Sequence, residues 1–154
     1  MSNTMKLIIS LAVPQLLGGL GALFTNSSID GWYQTLIKPS WNPPGWLFGP
    51  MWILLYFLRG LACYLLWKSN SPLKKKLLTL YAIQLLLNGL WSPAFFGMES
   101  PLLGLSIIVP LWILIVTCVL EFRKANSTAS ALMIPYLLWV TFATMLNTAI
   151  WWLN

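Results

Sequence analysis

The chain has 154 residues, of which 58% are hydrophobic and 8% charged, with nine basic and three acidic side chains and a net charge of +6. So few charges cannot build the polar shell of a soluble domain, which leaves lipid as the expected solvent. The basic residues flank apolar runs, which argues against a nucleic-acid partner and for anionic headgroups, and the absence of histidine excludes a bis-imidazole haem or a histidine-based metal centre.

A spanning helix needs about 20 apolar residues. Five stretches qualify, at 7–24, 46–67, 77–96, 102–120 and 131–153. The predicted fold is an all-α integral membrane protein, a bundle of five transmembrane helices forming one domain over residues 1–154. The first run follows Lys6, but it is too long for a signal peptide. Leu23-Phe24-Thr25-Asn26 also offers no small-x-small cleavage site, so the run reads as a retained span. Within it, Gly18 and Ala22 form a small-xxx-small pair suited to close helix packing or dimerisation.

The connection at 25–45 is longer than helical hairpins prefer. Trp32, Tyr33, Leu36, Ile37 and Trp41 give it apolar surface, and Pro39, Pro43 and Pro44 restrict its backbone, so an ordered lid over one mouth of the bundle is expected. In the second span Trp52, Tyr56, Arg59 and Cys63 share a face. Arg59 then lies roughly 10 Å deeper than Trp52 at the helical rise. A guanidinium near mid-membrane is a functional candidate, but the cytoplasmic face is within reach, and Arg59 is expected to snorkel to it.

The third span carries Gln84, Asn88 and Ser92 four residues apart, with Trp91 and Phe95 adjacent. Lipid cannot satisfy such a polar stripe, so it must face protein or a cavity. Spacing alone leaves interhelical glue and cavity lining both open. In the fourth span Trp112 is expected on a lipid face. The fifth span sets Trp139, Ala143, Leu146 and Ile150 on one side, where small Ala143 leaves room for a flat ligand or a neighbouring helix.

The chain has ten tryptophans. Trp67, Trp151 and Trp152 fit the interfacial aromatic belt. Trp139, deep in its span, and the group Trp32, Trp41, Trp46 and Trp52 around the lid do not. Cys63 and Cys118 both sit in apolar runs and make no disulfide framework. Lys6, Lys68, Lys74, Lys75, Lys76, Arg123 and Lys124 fall on the N-terminal side, against Lys38 alone in a loop on the other. That asymmetry predicts a cytoplasmic N-terminus. The Asn26-Ser27-Ser28 and Asn126-Ser127-Thr128 sequons read as chance matches.

Several motifs together carry a resemblance: Trp32-Tyr33, the run from Lys38 through Pro39-Ser40-Trp41-Asn42-Pro43-Pro44-Gly45 to Trp46, and Phe48-Gly49-Pro50-Met51-Trp52. Gln84, Asn88, Trp91 and Ser92 add to them, as does the final Pro135-Tyr136, Trp139, Phe142-Ala143-Thr144, Leu146-Asn147. Across essentially the whole chain this is similar to the translocator protein family, whose members are also called tryptophan-rich sensory proteins (TspO) or peripheral-type benzodiazepine receptors. The resemblance implies a five-helix bundle, commonly a homodimer, with a pocket beneath the first loop. It implies binding of protoporphyrin IX or haem as ligand, and of isoquinoline carboxamides and benzodiazepines, with no obligatory cofactor. Carried over by position, the pocket would be formed by Tyr33, Pro43, Pro44, Trp52, Asn88, Trp91, Ser92, Trp139, Ala143 and Leu146, and the host would be a bacterial cell membrane.

Some bacterial members degrade porphyrin in light, which makes Trp52 and Trp139 the candidates for an enzymatic reading. A scaffold with a vestigial pocket is the third. Two departures stand out. No basic residue follows Leu146 to complete a sterol-recognition pattern, so a sterol partner is not expected, and Arg59 has no place in the family pattern. Porphyrin propionates are expected at the wet mouth, near Lys38.

Overall fold

In the computed structural model, which describes residues 1–154, five helices are long and apolar enough to cross a bilayer. Helix α1 (Asn3–Ser28) starts at Ser2, whose hydroxyl accepts the Met5 N–H at 3.2 Å. It outruns its apolar stretch because the hydroxyls of Thr25 and Ser27 donate back to the carbonyls of Gly21 and Phe24, holding polar residues in helical register. The first connection is therefore shorter than expected, residues 29–44, and contains a single helical turn, α2 (Trp32–Thr35).

A short 3₁₀ turn (Gly45–Leu47) leads into α3 (Phe48–Lys68). Helix α4 (Lys74–Ser92) does not continue regularly to Phe96. Pro93 supplies no N–H, and the chain passes into a π-helical turn (Pro93–Gly97) in which Met98 N–H reaches Pro93 O at 2.8 Å. Helix α5 (Pro101–Phe122) is capped by Ser100, and α6 (Ser127–Leu153) by Asn126, whose Oδ1 accepts from Ala129 N–H at 2.9 Å. The second sequon is thus a helix cap.

Packing closes the helices into a ring: α1 against α3, α3 against α6, α6 against α5, α5 against α4, and α4 against α1. Two glycines set how closely α1 and α3 approach. A Cβ on Gly18 would overlap the Tyr56 ring, and one on Gly60 would lie 2.6 Å from Ser10 O and 3.0 Å from Leu11 Cα. Below this crossing, toward the lysine-rich end, the bundle is solid. Leu55, Leu66, Leu77, Ile115, Phe122, Met133 and Tyr136 belong to one continuous core there. At that end Glu121 also joins Lys76 and Lys124, at 2.8 and 2.5 Å, tying α4 to the end of α5.

Above the crossing a smaller cluster of Tyr33, Phe95, Phe96, Leu146 and Ile150 holds the first connection against the π turn and α6. Ser28 Oγ donates to Phe96 O at 2.8 Å. Asn154 clamps the connection from the far end of the sequence: its Oδ1 accepts Ile37 N–H at 3.0 Å and its Nδ2 donates to Ile37 O at 2.9 Å. The tryptophans divide unevenly. Trp151 and Trp152 are exposed, as an interfacial belt requires. Trp112 is exposed, but its Nε1 donates to Thr141 Oγ1 at 2.8 Å, so it also pins α5 to α6.

Candidate functional site

The divergence of α1 from α3 above the glycine crossing leaves a cavity of about 600 Å³, bounded by α1, α3, α4 with its π turn, and α6, under the first connection. That volume is in the range of pockets that enclose a small organic ligand. The wall is mainly apolar, and its indoles are fixed by their neighbours. Trp52 stacks on Tyr56 (5.7 Å, 28°) and meets Trp139 edge-on (6.4 Å, 90°). Phe48 packs edge-on against Trp139 from the other side (5.9 Å). Trp91 stacks on Phe95 at 5.1 Å, and its Nε1 donates to Asn147 Oδ1 at 3.1 Å. Asn147 Nδ2 in turn donates to Pro101 O, so this residue locks α4, α5 and α6 around the site.

One helical stripe on α4 supplies the main polar groups. Gln84, Asn88 and Ser92 are all buried, and they divide the two roles that spacing left open. Ser92 is glue as well as wall: its Oγ donates to Gly21 O at 2.8 Å and lies 2.7 Å from Thr25 Oγ1. Asn88 lines the cavity, and its Oδ1 accepts from Tyr56 OH at 3.2 Å and from Arg59 Nη1 at 3.4 Å. Two donors on that oxygen fix the amide and leave Nδ2 for the cavity. Trp139 Nε1 is buried with no partner. The cavity therefore offers the Asn88 amide donor on an aromatic wall, an arrangement that favours a flat molecule carrying acceptor atoms.

Of the positions singled out in the sequence, Tyr33, Trp52, Asn88, Trp91, Ser92, Trp139, Ala143 and Leu146 line this one cavity. Pro43 and Pro44 do not. They stiffen the backbone leading to Gly45 and Trp46, which do line it. Tyr33 is buried against Phe96 (5.5 Å), and its hydroxyl donates to Asn42 Oδ1 at 3.2 Å. Burial raises its pKa, partly offset by that hydrogen bond. Within the group of tryptophans set apart from the belt, Trp41 and Trp46 are more exposed than expected. Trp46 is 72% exposed at the rim, and Trp41 is 45% exposed, with its ring against Phe142 at 5.7 Å. Trp41 lies in the first connection and Trp46 in the 3₁₀ turn that follows it, both at the edge of the helical core.

The expectation for Arg59 is corrected outright. Its side chain is 0% exposed and does not snorkel. It points into the bundle, where its Cζ lies 4.0 Å from the Tyr136 ring centroid and 5.0 Å from that of Tyr56. Sequence reasoning also missed the share of α1 in the wall, Gln15, Leu17, Gly21, Ala22 and Thr25 among others. The available signal was the Gly18–Ala22 cluster, where missing side chains make room as well as contact.

Five apolar spans around an aromatic-walled cavity define an integral, multi-pass α-helical membrane protein. The profile of the TspO/MBR family matches residues 10–153. The chain is 46% identical to the tryptophan-rich protein TspO of Chlorobaculum tepidum, covering 98% of this chain and 96% of that one. It is 41% identical to the TspO of Archaeoglobus fulgidus over 99% of both, and 36% identical to the translocator protein of Bos taurus over 90% and 84%. The chain belongs to the TspO/MBR family.

Proposed function

We propose that the protein is a membrane sensor or translocator whose ligand is a tetrapyrrole such as protoporphyrin IX or haem, held in the cavity between α1, α3, α4 and α6. The names of its relatives, a tryptophan-rich sensory protein from Cereibacter sphaeroides and the bovine translocator protein, support the first half of that reading. The observation that carries the second half is the meeting of Trp52 and Trp139 at right angles on a wall that also presents Asn88. Trp139 and Trp91 would flank the macrocycle, each aromatic contact contributing about 0.5–1.5 kcal/mol beyond burial. Asn88 Nδ2 would donate to an acceptor atom. With no histidine in the chain, nothing here ligates iron through imidazole, and metal-free protoporphyrin is expected to bind about as well as haem. Isoquinoline carboxamides and benzodiazepines, aromatic plates with carbonyl acceptors, suit the same wall.

Titration of the purified protein with protoporphyrin IX, followed by quenching of intrinsic tryptophan emission, tests this. Saturable quenching is expected, with affinity reduced about tenfold in Trp139→Ala and in Asn88→Leu, the loss of one good contact of about 1.4 kcal/mol. Unchanged affinity in both variants would place the ligand elsewhere.

A further inference from the structure

Arg59 is a cation with no counter-ion inside the protein. Asp30 and Glu99 lie at the end of the bundle that carries the first connection, and Glu121 is held at the other end by Lys76 and Lys124. A guanidinium does not give up its proton in a protein. Stacking on Tyr136 and Tyr56, one long bond from Nη1 to Asn88 and the neutral hydroxyl of Tyr81 close by make up its surroundings. Nε and Nη2 are buried with no hydrogen-bond partner. A buried charge without a counter-ion is costly, and stacking on tyrosine rings offsets only part of that cost.

The identity of the two free atoms is informative. Nε–H and Nη2–H point the same way from one edge of the planar guanidinium, the fork that takes both oxygens of a carboxylate. More unpaired buried polar atoms stand on the facing helices: the hydroxyls of Tyr81 and Tyr136 and both amide atoms of Gln84. Tyr81 and Gln84 lie on the same face of α4 as Asn88. Between this compartment and the large cavity stands the hydrogen bond from Tyr56 OH to Asn88 Oδ1. Tyr56 and Asn88 both line the cavity, and Arg59 lies directly behind them.

We infer that Arg59 is a carboxylate-receiving site at the floor of the cavity, reached when Tyr56 and Asn88 part, and that the ligand carries a carboxylate that docks there. The inference rests on the reading of the cavity as a ligand site and deepens it. It also reverses the orientation expected from loop charges. Lys38, the cation near the mouth, already donates to Leu36 O at 3.1 Å and lies 4.8 Å from the Tyr33 ring centroid, whereas the unpaired positive charge is at the cavity floor.

The test compares acid and neutral forms of one ligand in wild type, Arg59→Met and Arg59→Lys: protoporphyrin IX against its dimethyl ester by tryptophan quenching, and 2-naphthoate against 2-naphthamide by thermal stabilisation in detergent. Wild type is expected to prefer each acid about tenfold or more. Arg59→Met should lose the preference while binding the ester within about twofold of wild type, which also reports an intact fold. Arg59→Lys, charged but without the fork, should keep only part of it. An acid preference that survives Arg59→Met overturns the inference and makes Arg59 a structural cation. If neither porphyrin binds wild type, the tetrapyrrole reading fails on its own. The naphthalene pair then decides the site: stabilisation by naphthoate alone, lost in Arg59→Met, upholds it, and equal or absent stabilisation by the two overturns it.

Discussion

Gly60→Leu is expected to destabilise the bundle by about 3 kcal/mol, the largest stability loss of any single glycine replacement on α3. The reason is the nature of the obstacle. At Gly60 the first added carbon already lies 2.6 Å from a backbone oxygen of α1 and 3.0 Å from a backbone Cα. No rotamer relieves that contact; the two helices must separate. Separation would also undo the crossing from which α1 and α3 diverge to form the cavity. Gly19→Ala is the control. It is the neighbour of Gly18 on α1, but a Cβ there meets nothing within 4 Å, so the variant gains helix propensity and should be neutral or more stable by up to about 1 kcal/mol. Thermal unfolding of the two variants in the same detergent checks the pair. Equal melting temperatures would mean that the α1–α3 contact is not set by Gly60.

Ala143→Phe is expected to have the opposite signature: at least a 100-fold loss of protoporphyrin affinity, about 2.7 kcal/mol, with little change in stability. Ala143 follows Trp139 by one helical turn and lines the cavity beside Leu146. A benzyl group there can turn into the cavity, which limits overpacking against the core that Ala143 also touches, and it occupies the space where a flat ligand would stack. Quenching titrations and melting curves on one preparation separate the two effects. Wild-type affinity in this variant would show that the ligand does not use the space beside Trp139.

What could be read in the sequence follows from how unforgiving lipid is. Gln84, Asn88 and Ser92 had to face inward because hydrocarbon leaves amides and hydroxyls unsatisfied, and Trp139, Ala143, Leu146 and Ile150 followed from helical spacing alone. Both stripes reach the same cavity. The contribution of α1 was half-legible: the small residues Gly18 and Ala22 signal close helix packing, but not that with Gly21 they also line a cavity through the volume they leave. The burial of Arg59 depends on the ring of Tyr136, 77 positions along the chain, and on Asn88. Sequence separation hides such partners, and without them snorkelling is the cheaper expectation. The Asn154 clamp on Ile37 is hidden for the same reason. The π turn at Pro93 was half-visible: proline signals a break, but not that the chain keeps its course with a changed hydrogen-bond register.

The most direct test of an indole-walled site within the bundle is an anomalous-difference map from crystals grown with zinc protoporphyrin IX, because the metal marks the centre of the ring. The account predicts one peak per chain inside the bundle, between α1, α3, α4 and α6, with the macrocycle against Trp139 and a carboxylate directed toward Arg59. A peak on the outer surface, beside Trp151 and Trp152 or between neighbouring bundles, would contradict it.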